Sequence, residues 1–295
     1  MARLLGQPWT VGRSARRAIA REPWLWLTVP ILLFLGVSFL LPLYEVVERS
    51  ISDPQAGLGN FSDAFGSSQF RRVLGNTLLM AVTVTGVAAL LAYPYAYMMV
   101  HASGRVAALM LIAVLLPFWS SVLVRSYSWT VILQDTGIIN SLLRDFGLID
   151  EPLPLVRSFT GATIGMVHIM LPYMLLPIYA AMRRVDQNLV KAAGNLGASP
   201  LRAFRNVFLP LSLPGLYAGC LLVFVITLGF YITPALLGNP RQMMLSQLVA
   251  QEIRLQNWGL GSAMALLLLA VTLVLLLIAS RFVRIGDVVE RGRRT

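Results

Sequence analysis

Apolar residues in this chain gather into six long runs, and the charges gather between them. A helix needs about 20 mostly apolar residues to cross the hydrocarbon core of a bilayer. Trp24 to Tyr44 offers 21 without a charge, Thr77 to Val100 offers 24, and Val106 to Val124 offers 19. In the third run the apolar character resumes after Arg125 as far as Leu133. Ser158 to Met182 gives 25, interrupted only by His168, and Leu255 to Ser280 gives 26. Asn206 to Pro240 is 35 residues, too long for one span, so part of it must lie outside. The pattern predicts an all-α integral membrane protein with six transmembrane helices, at about 24–47, 76–100, 106–133, 160–182, 214–237 and 259–281. A tail of residues 1–23 precedes the 24–282 membrane domain, a large loop covers 183–213, and a tail of 283–295 follows. The first run is not a cleaved signal peptide, because its apolar part exceeds about 15 residues. No repeat of fixed period is visible.

Composition supports this reading. Charged residues make up 13% of the chain and apolar ones 57%, with a mean hydropathy of +0.72. Soluble domains carry about 25% charged residues, so an ordinary water-facing enzyme is excluded, as is a disordered or collagen-like chain. A net charge of +11 in a soluble chain would point to nucleic acid, but its distribution here argues otherwise. With six spans and both ends on one side, that side holds 16 of the 24 basic residues and 4 of the 13 acids. Basic loops mark the cytoplasmic face, so both termini are expected in the cytoplasm. No nucleic-acid partner is implied. A single cysteine, Cys220, rules out an internal disulfide and a cysteine-cluster zinc site.

Catalytic chemistry is hard to build from these residues. The chain has one lysine, Lys191, and it follows Val190; a phosphate-binding loop needs its lysine after glycine. ATP and magnesium therefore have no binding motif here. His101 and His168 lie in separate segments without a metal-site neighbour. The acids sit mainly in outer loops, unpaired. The expectation is a non-catalytic chain with no cofactor of its own and with a transport role.

The loop after the fourth run is the most patterned polar stretch. Asp186 is a plausible N-cap. Leu189, Ala192, Ala193 and Leu196 follow on one face of a short helix. Gly197 stands where a left-handed C-cap is wanted. Ser199 then caps a second helix with Pro200 at its first position, and Leu201, Phe204 and Phe208 form its apolar face. Pro210 and Pro214 are expected to end or kink it. Such a helix pair could lie on anionic lipid or fit a groove on a partner protein.

The residues themselves favour the second reading. Lys191-Ala192-Ala193, Gly197-Ala198-Ser199-Pro200, Phe204, Val207 and Leu209-Pro210-Leu211 resemble the EAA loop of ABC importer permeases. Lys191 stands where that family usually has glutamate. Asn76-Thr77-Leu78, the stretch from Leu116 through Trp129, and Gly229 to Gly238 are similar to polyamine (spermidine/putrescine) importer permeases. The resemblance implies a type I ABC importer permease fold in a bacterial inner membrane. It also implies a second, different permease subunit, two ATPase subunits docked on the loops, and a periplasmic solute-binding protein. Polyamines are the implied substrate; opines, amino-acid derivatives, ferric complexes and phosphonates pass through related permeases.

Polar groups within spans are expensive and are functional candidates by default. Ser120, Arg125, Tyr127 and Trp129 cluster toward the outer end of the third run, where Arg125 reads either as a pathway residue at the partner interface or as a snorkelling cation. His168 and Tyr173 on the fourth run either line a cavity or serve packing. Tyr231 and Thr233, beside Pro234, sit where a broken fifth helix could expose carbonyls. The rival to an importer, a secondary transporter driven by an ion gradient, calls for an intramembrane carboxylate relay or an internal repeat, and neither is visible. The charge distribution generates a direct test. Cysteines at Arg13 and Arg205 should resist a membrane-impermeant thiol reagent in intact cells, and one at Asp150 should react. Labelling of the first two from outside would reverse the topology.

Overall fold

The computed structural model describes residues 28–292, with side chains as far as Ala279 and again at Arg281. The expected 1–23 tail, the start of the first run at Trp24, Arg13, and the side chains of the 283–295 tail lie outside the described residues. Among the described residues every regular element is helical. The helices are α1 (Val29–Ser52), α2 (Gly59–Gly66), α3 (Ser68–His101), α4 (Gly104–Leu115), α5 (Val122–Leu133) and α6 (Ile138–Asp145). They continue with α7 (Phe159–Arg183), α8 (Gln187–Asn195), α9 (Pro200–Leu228), α10 (Ile232–Leu237), α11 (Leu245–Arg254) and α12 (Trp258–Gly292). Five of these, α1, α3, α7, α9 and α12, are long and apolar enough to cross a bilayer. A bent pair, Gly104–Trp119 with Val122–Asp145, brings the spans to six when counted as one.

α7 is the centre of the bundle, with α3 packed on one flank and α9 on another. Lipid is as apolar as leucine, so helices in a membrane associate through close packing rather than hydrophobic transfer. Small residues supply the approach. Ala88, Ala92 and Ala96, four apart on α3, are fully buried. On α9, Gly215 and Gly219 form a G-x-x-x-G pair against α7. A Cβ at Gly215 would stand 2.4 Å from the Ala181 Cβ and 2.6 Å from the Pro177 carbonyl oxygen. One at Gly219 would meet the Met174 carbonyl oxygen at 2.9 Å. Met166, Met170 and Met174 fill the remaining irregular space, each 0% exposed. α1 packs at the periphery on α12, and its apolar side chains, such as Phe34 at 69% and Phe39 at 70% exposed, are left for lipid.

Three elements depart from the sequence expectation. The third span, expected as one helix over 106–133, breaks at Ser120–Ser121 and turns by 102°. Pro117 supplies no N–H and its ring would strike the carbonyl four residues back, so a 3₁₀ turn over Leu116–Trp119 replaces the α-helix. Ser121 then accepts a bond from the Val124 N–H and caps α5. The second helix of the large loop does not end before the fifth span. It is the N-terminal part of α9, continuous through Pro210. A π-turn over Phe204–Phe208 allows this. The Leu209 N–H bonds the Phe204 carbonyl five residues back, which adds a residue just ahead of the proline that cannot donate. At its other end α9 stops at Leu228, not at 237; residues 232–237 form the separate short helix α10. α12 also continues past 281, to Gly292.

Cross-links at the ends of the spans opposite the 183–213 loop fix the remaining helices. The Leu245 N–H donates to Thr77 Oγ1 at 2.8 Å, and Thr77 is fully buried. Asn60 Nδ2 donates to the Ser50 and Asp53 carbonyls at 3.0 and 2.7 Å. Arg49 lies over the Trp258 ring at 5.0 Å. The packing at α7 generates a stability test. Gly215→Val should cost about 1–3 kcal/mol through overpacking and lower the thermal unfolding midpoint in detergent. Gly86→Ala, where an added Cβ meets nothing within 4 Å, should leave it near the parent value. Equal midpoints for the two variants would remove the α7–α9 contact as a determinant.

Candidate functional site

The loop residues fold into a two-helix knob. Asp186 accepts from the Asn188 N–H at 2.9 Å and opens α8. The helix closes with two reverse bonds, Ala198 N–H to the Ala193 carbonyl and Gly197 N–H to the Gly194 carbonyl, at 3.0 and 2.9 Å. This is the Schellman pattern, and it requires a left-handed residue between the helices. Gly197 has φ +86°, which a residue with a Cβ adopts only under strain. The Ser199 hydroxyl accepts from the Arg202 N–H, with Pro200 in the first turn of α9.

The knob's apolar faces divide in a way the periodicity did not specify. Leu189, Leu196 and Leu201 are 50%, 90% and 75% exposed, so they look away from this chain. Lys191, Ala192, Ser199 and Pro200 are also exposed, and Ala193 and Ala198 are half-buried. Val190 and Phe204 turn inward onto the core. Phe204 and Phe208 stack at 5.8 Å, and Tyr97 of α3 meets them edge-on at 5.4 and 5.2 Å. Tyr93 and Ser212 share a hydroxyl bond at 2.7 Å. The knob is thus clamped by aromatic contacts to the C-terminal half of α3 while leaving three leucines uncovered.

The second group of candidates lies around the break in the third span. Arg125, Ser126, Trp129 and Leu133 share the face of α5 turned to α7 and α10. Ser126 and Thr233 share a hydroxyl bond at 2.7 Å, both fully buried. Thr233 therefore fastens α10 to α5 and exposes nothing. Trp129 donates its indole N–H to His168 Nδ1 at 3.1 Å, which occupies that histidine in packing. Tyr173 lies beside Phe118, centroids 5.2 Å apart, and Phe118 in turn underlies the Arg125 guanidinium at 5.8 Å. Ser120 is half-buried and bonds its own turn at the Pro117 carbonyl. Tyr127, 62% exposed, points out from the opposite face of α5 and does not join the group. Tyr231 is separate as well: its hydroxyl accepts from Arg254 of α11 at 3.3 Å.

Sequence reasoning missed Phe118, Ser126 and the Gly215–Gly219 pair as organisers. The glycine spacing was readable as a helix-contact signal. The roles of Phe118 and Ser126 depend on the bend between α4 and α5, which hydropathy does not report.

These features coincide with known proteins. Residues 11–288 match the family described as the binding-protein-dependent transport system inner membrane component. The spermidine/putrescine transport system permease protein PotB of Haemophilus influenzae is 34% identical over 81% of this chain and 82% of its own length. PotB of Escherichia coli K12 is 31% identical over 88% of this chain and 94% of its own. A solved structure of a bacterial alginate ABC transporter, in complex with an alginate pentasaccharide-bound periplasmic protein, shares the fold. Its TM-score is 0.69 at 19% identity, covering 91% of this chain and 96% of that one. A six-span helical chain with this loop, matched over nearly its whole length, belongs to the inner-membrane permeases of binding-protein-dependent ABC importers and is a multi-pass transport permease subunit with the type I fold.

Proposed function

We propose that this chain is half of the translocation path of a bacterial polyamine importer. It pairs with a second, different permease subunit. Two ATPase subunits bind and hydrolyse ATP with magnesium and dock on the cytoplasmic knobs, and a periplasmic solute-binding protein delivers spermidine or putrescine from outside. Both termini face the cytoplasm, on the charge distribution. The substrate class is supported by the PotB relatives, whose printed names carry it. A carboxylate relay driven by an ion gradient finds no support, since no Asp or Glu is among the buried groups of the described residues.

The observation that carries the coupling role is the knob itself. Three exposed leucines on a rigidly capped helix pair make an apolar surface of the kind that fits a partner groove. Its clamp to Tyr93 and Tyr97 makes it a lever on α3. Force applied at Leu196 or Leu201 reaches the membrane through Phe204 and Phe208, whose rings α3 grips. Lys191, Ala192, Ala193, Gly197, Ala198, Ser199, Pro200 and Phe204 are the coupling residues in this reading.

The knob generates two tests. Gly197→Asp should place a Cβ on a backbone with φ +86°, and Ala193→Trp should push the helix pair apart. Both should give a membrane-resident chain that loses ATPase co-purification or substrate-stimulated hydrolysis. If both readouts stay at the parent level, the knob is only a surface helix pair. Tyr97→Ala should separate the steps. The ATPase should remain bound through the leucines, while spermidine uptake per ATP hydrolysed falls, because the grip on Phe204 and Phe208 is gone. Unchanged coupling in a folded Tyr97→Ala complex would exclude the lever.

A further inference from the structure

We infer that Arg125 is one half of an interchain latch, and that its acceptor is a carboxylate of the second permease subunit. The inference rests on the reading that this chain pairs with such a subunit. Arg125 is 9% exposed, its Nε is buried without a partner, and its guanidinium makes no hydrogen bond or ion pair with any described residue. The guanidinium lies over the Phe118 ring at 5.8 Å, on the side of α5 that also faces His168. A guanidinium carries five donors in a fixed fork and stays charged. A buried charge is tolerated when paired, and this chain supplies no acceptor among the described residues.

Position selects the source of the acceptor. The 16 residues from Gly104 to Trp119 rise about 24 Å of a hydrocarbon core roughly 30 Å thick. Arg125 therefore sits at the outer side, just past the bend at Ser120–Ser121. Leu123, Val124, Tyr127 and Val131 on the other face of α5 are 60%, 54%, 62% and 46% exposed, a largely apolar surface that suits acyl chains rather than a lipid phosphate. A solute carboxylate would be present only during transport and would leave the charge uncompensated in every idle complex. A polyamine offers no acceptor at all. A carboxylate fixed on the neighbouring subunit meets the need permanently, in a bidentate pair that the guanidinium fork favours. The Ser126–Thr233 bond and the Phe118 ring hold the fork in place, so the latch ties the outer end of this chain to its partner and must part when the path opens outward.

The test uses the assembled importer, with both permeases and the ATPases, in proteoliposomes. A photoreactive p-benzoylphenylalanine at position 125 should crosslink the second permease. Arg125→Glu should lower spermidine uptake roughly 10- to 100-fold, the worth of a charge-assisted bond. Reversing one carboxylate of the second subunit to arginine should then restore most of it. Arg125→Lys, which keeps the charge, should retain more coupling of hydrolysis to uptake than Arg125→Gln. Crosslinking and substrate-free ATPase activity do not depend on the solute, so they judge the latch even if spermidine proves to be the wrong substrate. The latch is overturned if no reversal rescues Arg125→Glu, if the crosslink falls only on lipid, or if Arg125→Gln merely raises the KM for solute. Arg125→Gln with parental uptake and ATPase activity overturns it too, leaving the arginine as packing on Phe118.

Discussion

Everything in this structure depends on how closely α3 and α9 can approach α7. Inside a bilayer no water remains to be released between helices, so the bundle holds by van der Waals contact and backbone proximity. Gly215 and Gly219 bring α9 to within atomic contact of the α7 backbone, and the alanine stripe on α3 does the same on the other flank. Methionines take up what glycine and alanine leave. The result is a stiff central trio to which the peripheral pair, α1 and α12, adds a lipid-facing wall.

That stiffness gives the coupling role proposed for the knob its mechanical basis. α9 is both a member of the trio and the second limb of the knob, because the π-turn carries the helix through Pro210 without a break. α3 is likewise a member of the trio and the helix that grips Phe204 and Phe208. A displacement of the knob therefore acts on two spans already locked to α7, rather than on a flexible tether. At the other end of the bundle the opposite solution is used. The third span is broken and turned by 102°, and short helices replace continuous rods, such as α10, which is held by the Ser126–Thr233 bond and the buried Leu237. The end of the bundle beside the 183–213 loop is built from continuous helices, and the opposite end from short ones.

Much of this was legible in the chain alone. Six apolar runs and the segregation of arginines dictate a multi-pass helical protein, since only helices or closed barrels satisfy every backbone group in lipid. The knob's caps were readable residue by residue: Asp186, Gly197, Ser199 and Pro200 act within one turn of themselves, and local geometry is a local property. What the sequence could not decide is where helices that pass through proline bend. Pro117 breaks the third span while Pro210 does not break α9, and the difference lies in a capping serine in one case and a π-turn in the other. Nor could periodicity say which side of the knob faces outward. Leu189 and Leu196 share a helical face with a spacing typical of burial, yet they are exposed, because the aromatic clamp from α3 seizes Phe204 and Phe208 and the core takes Val190 instead. Likewise Arg125 reads in sequence as an arginine near a span end, free to reach the headgroups. Only the bend that turns α5 back over Phe118 encloses it, because burial depends on which distant helices the fold brings together.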